Sequence, residues 1–439
     1  MSAPTPSVET PRSNAHRDVA VRVRGRQARA IFWLVVLAFA VRIGFMLAAH
    51  TYLFASYRVD DYSYLNETTS IARSIAEGRG FSSPFSPAYT GPTSWVAPVY
   101  PYLCAIFFAG FGVLSTKAAA ALLTLQSLFS ALTCIPILGI GERTVGRRAA
   151  IAAALLWAVF PWFSKWAVSW VWEISLSTLL FACLFWYALR LAEPASRMMW
   201  VGFGALWGFA LLVNPALLPL LPASLVWRGF QLHRRGNEWV KPAMLSLAAC
   251  LVVISPWLVR NRVVFGQWTF LRSNFGLEFF LGNTSYSVGR GWIGQHPAGN
   301  AAELARYQAM GEPAYVSAKL HQALAWVRTS KRDFLRLTAR RVVYFWDGSA
   351  IGYRPAIAWY WLPWSFAALS FLLLPAMLVA HRRQLHAWPL FFAAILLYPL
   401  PYYLTYSQVR YRHVLEPLML LLMCYAATEA FTWRRSAAP

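Results

Sequence analysis

Ten apolar runs, nearly free of charge, divide a chain of 439 residues; they cover approximately 31–53, 118–140, 149–164, 168–189, 199–213, 215–227, 242–259, 358–380, 388–404 and 411–433. A helix of about 20 apolar residues matches the ~30 Å hydrocarbon core of a bilayer. Within that core only a helix or a closed barrel satisfies its own backbone donors and acceptors. Charged residues make up 13% of the chain, against roughly a quarter in soluble domains. A water-soluble enzyme and a disordered chain are both excluded. The pattern predicts an all-α polytopic membrane protein with about ten transmembrane helices, juxtamembrane helices on the outer face and a small extramembrane segment.

Segment 98–114 (PVYPYLCAIFFAGFGVL) is at the lower limit for spanning, and counting it would invert everything downstream. The basic residues arbitrate. With the segment laid along the surface, cytoplasmic loops and tails hold 19 Lys and Arg, against 7 in the short outer loops. That asymmetry satisfies the positive-inside rule with both termini inside. The expected organisation is a basic cytoplasmic tail at 1–30, a transmembrane catalytic module at 31–259 with its first outer loop at 54–97, a large outer segment at 260–357, C-terminal transmembrane helices at 358–433 and a short tail at 434–439. The first thirty residues are basic and polar without the form of a cleavable signal, because the apolar stretch after them is too long for one. The expected place is the cell's inner (plasma) membrane, with the functional face toward the periplasm or exterior.

Net charge is +23. The position of these charges, at span ends and tails, points to membrane lipids and not to nucleic acid. The five cysteines all lie in apolar segments without CxxC or Cys/His metal spacing, and read as small buried apolar residues. Within the large outer segment, 316–346 alternates basic and apolar residues every three to four positions. Such a stretch suits a helix on a lipid surface or a solvated helix in a small extramembrane domain.

Acidic residues are scarce, so those near the outer face are informative. Asp60 and Asp61, in RVDDYSYLNE, directly follow the first span. They suit a general base with a companion that fixes a partner or a divalent cation, or else a solvated turn. Glu173, in SWVWEISLS, lies among apolar residues near the outer end of a span, where an ionisable group is costly and commonly functional. Its alternative is a helix-terminal or buried hydrogen-bonding role. Lys165, Arg260, Arg262, Arg410 and Arg412 stand at outer span ends, placed either to hold a lipid phosphate or to snorkel. Arg42, inside the first span, reads as structural. His296, in GQHPAGN, has no metal-ligand spacing to another histidine, and no metal site is assigned. No nucleotide-binding signature is present.

The acidic motif of the first loop is followed by GRGFSSPF, GPTSWVAPVYPYL, Glu173, VNPALLPLLP, SPWLVRNRVVFGQW, RSNFGLEFFLGN and RYRHVLEPLMLLL. In this order and spacing the chain resembles the GT-C superfamily of polyprenyl-phosphate-sugar-dependent glycosyltransferases. It is most similar to the bacterial branch related to protein mannosyltransferases and the aminoarabinose transferase of lipid A. The resemblance implies an inverting transfer of a sugar from a polyprenyl-phosphate donor to an acceptor hydroxyl or amine on a lipid, glycan or protein. It places the catalytic base on Asp60, with Asp61 as companion where many relatives have Glu, and Glu173 in support. Tyr64, Trp95, Tyr100 and His296 are then expected in the substrate groove, and Lys165, Arg260, Arg410 and Arg412 near the lipid phosphate. No cofactor is implied beyond a possible divalent cation. A membrane transporter or lipid flippase, with Glu173 and Arg42 on its path, is the alternative reading; a non-catalytic outer-face scaffold is a third.

Overall fold

A computed structural model describes residues 11–54, 63–85, 88–191, 195–289, 293–348 and 362–436. Among these the regular structure is helical, with one isolated β-bridge between Ser82 and Pro92. The helices are α1 (Pro11–Ala48), α2 (Glu67–Ala76), α3 (Val99–Phe111), α4 (Thr116–Leu132), α5 (Cys134–Thr144), α6 (Arg147–Val159), α7 (Pro161–Ser169), α8 (Ile174–Arg190), α9 (Arg197–Val213) and α10 (Leu220–Arg234). They continue as α11 (Val240–Phe265), α12 (Phe275–Gly282), α13 (Ala301–Met310), α14 (Glu312–Thr329), α15 (Lys331–Asp347), α16 (Leu362–Arg382), α17 (Trp388–Leu397), α18 (Leu400–Leu404) and α19 (Glu416–Ser436).

Five helical stretches among the described residues are long and apolar enough to cross a bilayer: Gly25–Ala48, Thr116–Thr144, Val240–Phe265, Trp364–Arg382 and Val409–Thr432. The pair α6 and α7, bent by 46°, makes a sixth if read as one broken span. Four apolar helices are shorter: α3, α8, α9 and the stretch Trp388–Leu404. The run at 215–227 opens as a 3-10 turn over Pro215–Leu217 and passes into α10, which ends on His233 and Arg234. α3 has 13 residues, which is about 20 Å of helix and too short to cross alone. It packs on α2 and α4.

Two features show how sequence fixes the packing. The spacing of Gly204 and Gly208 on α9 puts both against α11, where a Cβ on Gly204 would fall 2.0 Å from the Ser246 carbonyl oxygen. Small residues four apart let two helix backbones approach closely, the device that replaces hydrophobic burial between membrane helices. The second is the α6–α7 break. Pro161 has no N–H to give the carbonyl of Trp157, and the extended Phe160 ends α6. Arg42 of α1, wholly buried, supplies the missing donors to Trp157 (3.0 Å) and Ala158 (3.1 Å), and its Nε reaches the Ser130 hydroxyl at 2.8 Å. Its role is structural.

The amphipathic stretch 316–346 is not one helix. α14 and α15 meet at Ser330, whose φ of −121° and ψ of 46° leave the helical region.

Candidate active site

The turn between α7 and α8 is the floor of the site, and one side chain holds it. Gln126 of α4 donates to the carbonyls of Ala167 (3.1 Å) and Trp170 (2.8 Å). Its own oxygen accepts from the Trp172 N–H at 3.0 Å and from the Tyr100 hydroxyl. The first loop docks on the same turn. The Val171 N–H donates to the Ser63 carbonyl at 2.9 Å, and the Asn66 side-chain amide to the Val171 carbonyl at 3.2 Å. Asn66 also caps α2 in a reciprocal pairing with Thr69. Thr51, just past α1, donates to the Val168 carbonyl. Both flanks of segment 55–62 are therefore tied to the 168–173 turn.

Above this turn opens a cavity of about 690 Å³. Three carboxylates line it, Glu67 of α2, Glu173 and Glu278 of α12, together with Arg272, Arg410 and His296. The remaining wall is largely aromatic and apolar, including Trp95, Trp172, Tyr402 and Tyr411. Its opening edge carries exposed Phe275 and partly exposed Leu218. The His296 Nε2 faces a Glu67 carboxylate oxygen at 3.4 Å. Since Nδ1 accepts from the Ala298 N–H at 3.1 Å, Nε2 carries the ring proton and points it at Glu67. Asn274 donates to Glu278 at 2.7 Å. Burial pushes the Glu278 carboxyl above the ordinary carboxylate range, while His296 and Arg272 pull it back down. The guanidinium of Arg410, 4% exposed, lies 4.8 Å from the Trp170 ring centre and 4.9 Å from that of Trp172.

A further buried carboxylate, outside the lining, braces the cavity wall. Glu312, first residue of α14, accepts from the Thr93 hydroxyl, the Ser94 N–H (2.8 Å), the Ser273 hydroxyl (2.7 Å) and the Tyr307 hydroxyl (2.7 Å). It thereby ties the first loop to 272–274, so that Trp95 and Arg272 enter the cavity from adjacent strands of chain. Arg272 also donates from Nε to the Trp95 carbonyl at 3.3 Å.

Of the residues expected from sequence, Glu173, Trp95, His296 and Arg410 meet in this cavity. Asp60 and Asp61 lie outside the described residues. Tyr64 and Tyr100 stand behind the wall: Tyr100 holds Gln126, and Tyr64 donates to the Ser115 carbonyl at 3.2 Å. Lys165 lies between the rings of Trp162 and Trp166, away from the cavity lining. Arg260 clamps the first loop through the carbonyls of Thr93 (2.7 Å) and Phe81 (3.0 Å). Arg412 is wholly enclosed, paired with Glu416 at 3.2 Å and donating to the Phe366 carbonyl at 2.8 Å. Sequence reasoning did not single out Glu67, Arg272 or Glu278. The signal was at hand: Glu67 is the last residue of RVDDYSYLNE, and Arg272 and Glu278 are the first and seventh residues of RSNFGLEFFLGN.

Residues 95–259, less than half of the chain, match the family model of the dolichyl-phosphate-mannose-protein mannosyltransferases. Comparison with curated proteins gives no match. Among solved structures, the archaeal oligosaccharyltransferase AglB from Archaeoglobus fulgidus, in complex with an inhibitory peptide and a dolichol-phosphate, is similar with a TM-score of 0.52 at 16% identity. The likeness covers 93% of this chain and 52% of that one, so this chain spans about half the length of that enzyme. ArnT from Cupriavidus metallidurans bound to undecaprenyl phosphate is similar with a TM-score of 0.41 at 15% identity, over 91% of this chain and 77% of ArnT. The chain has a polytopic all-α fold, similar to that of the archaeal oligosaccharyltransferase.

Proposed function

We propose that the protein is an inverting glycosyltransferase that moves a sugar from a polyprenyl-phosphate donor to an acceptor hydroxyl or amine on a lipid, glycan or protein. The observation that carries this reading is the cavity: two arginines and three carboxylates share one aromatic-walled space at the ends of apolar helices. The family-model match and the dolichol-phosphate held by the oligosaccharyltransferase of the same fold support the donor class. No finding favours the transporter or flippase alternative.

In the proposed reaction the acceptor oxygen or nitrogen attacks C1 of the sugar. The C1–O bond to phosphate breaks, its electron pair stays on the departing polyprenyl phosphate, and the acceptor proton passes to Asp60. Asp60 precedes Ser63 by three residues, and Ser63 is bonded to Val171 beside Glu173. Arg410 and Arg272 would stabilise the charge that develops on the phosphate, commonly the larger catalytic term. Asp61 and Glu173 would orient the base and the acceptor. A divalent cation enters this proposal only through Asp60 and Asp61, since no three His, Cys, Asp or Glu among the described residues come together as ligands. The place proposed is the inner (plasma) membrane, with the cavity on the periplasmic or exterior side as the basic-residue asymmetry directs.

The test is release of labelled polyprenyl phosphate from a polyprenyl-phosphate sugar by the purified protein, with chelator and with added Mg²⁺ or Mn²⁺ as separate arms. Transport of the intact donor across a proteoliposome without its cleavage would overturn the reading.

A further inference from the structure

The C-terminal half of α15 is bolted to two apolar helices. Arg341, fully buried, donates to the carbonyls of Tyr403 (3.0 Å) and Leu404 (3.1 Å), the last residues of the apolar stretch Trp388–Leu404. The Trp346 indole N–H donates to the Tyr403 hydroxyl at 2.7 Å, and the Trp346 carbonyl accepts from the Ser370 hydroxyl in the third turn of α16. Ser370 lies roughly 9 Å along the axis beyond Trp364 at 1.5 Å per residue, and Trp364 is 79% exposed, as an aromatic at a membrane interface would be. The end of α15 therefore packs on two apolar helices, at the end of Trp388–Leu404 and within the outer turns of α16.

From that anchor the outward face of the helix is graded. Val343 is 53% exposed and Val342 37%, nearest the anchored end. Leu335, 65% exposed, follows with exposed Arg336, and exposed Arg332 and Lys331 stand at the far end. Asp333 is the one acid on the helix before its final residue. The opposite face, Leu337, Arg341 and Phe345, is buried in the protein. Apolar groups toward the bilayer and cations away from it match the order of acyl chain and headgroup in a leaflet.

We propose that this face of α15 is a docking surface for anionic phospholipid headgroups of the leaflet on the cavity side, with Lys331, Arg332 and Arg336 as the phosphate-facing cations. Each such cation near an anionic surface favours it by about fivefold. The helix leads through 349–361 to α16, so lipid charge acts on an element fixed by Arg341 to the chain that carries the cavity-lining Tyr402 and Thr405.

The test uses the full chain in nanodiscs of phosphatidylcholine, alone or mixed with phosphatidylglycerol, and reads no turnover, so its outcome is separable from that of the proposed activity. A fluorophore on Val343→Cys is expected to be quenched by lipid-borne quenchers and shielded from iodide. A label there that iodide reaches and lipid-borne quenchers do not would overturn the placement. Phosphatidylglycerol is expected to raise the thermal midpoint of the wild type, and Arg332→Gln with Arg336→Gln to remove at least half of that rise. An undiminished rise in this variant, or no rise in the wild type, would overturn the anionic assignment.

Discussion

Arg410 and Arg412 belong to the same 3-10 turn, Val409–Leu415, and both are buried, yet they serve opposite ends. Around Arg412 the polar groups close on one another. Glu416 accepts from its guanidinium, from the His413 Nδ1 at 2.6 Å and from the Trp162 indole at 2.8 Å, and Arg412 itself reaches the Phe366 carbonyl and the Ser370 hydroxyl. Around Arg410 the cations and carboxylates border 690 Å³ of open cavity. The two charge clusters thus differ in one respect: one is enclosed by protein and the other lines a cavity. A closed cluster ties helices together, since removing one partner strands the other in a medium that cannot solvate it. An open one leaves charge directed at a space.

The sharpest test of the proposed chemistry is Asp60→Asn, which preserves size but removes the proton acceptor. It is expected to lower turnover by ~10²–10⁴-fold with donor binding nearly unchanged, measured as polyprenyl phosphate released at saturating donor. A rate near wild type in a folded variant would remove Asp60 from the chemistry.

The closed cluster should fail differently. Arg412→Ala leaves Glu416 buried without its cation, a loss of about 3–5 kcal/mol, read as a lowered thermal midpoint in detergent or as failure to accumulate. Arg410→Ala is expected to leave the midpoint within a few degrees of wild type while weakening binding of polyprenyl phosphate by about tenfold to a hundredfold, the range of one charged hydrogen bond. Arg410→Lys is expected to recover part of this, since a point charge replaces a planar fork. Equal stability losses in Arg410→Ala and Arg412→Ala would erase the distinction between the clusters.

The smallest effect concerns Glu278. Burial raises its folded carboxyl, so folding favours the protonated form relative to the unfolded chain. The stability it contributes is present below the ordinary carboxylate range and is lost as pH rises through its raised value. Glu278→Gln, a mimic of the protonated acid, is expected to flatten the fall in thermal midpoint across that window and to match or exceed wild type at neutral pH. A steeper fall in the variant would show that the cavity needs the ionised form for its fold.

Much of the architecture was legible because it is local. A run of apolar residues carries its own helical backbone bonding and its own hydropathy, so the runs at 118–140, 242–259 and 411–433 needed no knowledge of their neighbours. The weaker readings are those where a proline intervenes: Pro161 breaks one run into α6 and α7, and Pro215 opens another in a 3-10 turn. Arg42 was legible as structural because an uncompensated cation inside a span is too costly to stand alone; its acceptors at the Pro161 break were not, because they lie over a hundred positions away.

The site divides the same way. Glu173 and Arg410 stood out as ionisable groups beside apolar runs, and both reach the cavity. Arg260 and Arg412 stood out by the same rule and are consumed by backbone carbonyls and a carboxylate instead. Nothing in their local sequence separates the two outcomes, since a cation's role depends on which acceptors the fold brings to it. Glu67, Arg272 and Glu278 converge from the first loop and from a segment some two hundred residues later. Hydropathy along the chain therefore determined that this protein is a bundle of membrane helices with its charge at their ends. Tertiary structure alone decided which of those charges are enclosed by protein and which line a cavity, because pairing is a property of distance in space and hydropathy is a property of order along the chain.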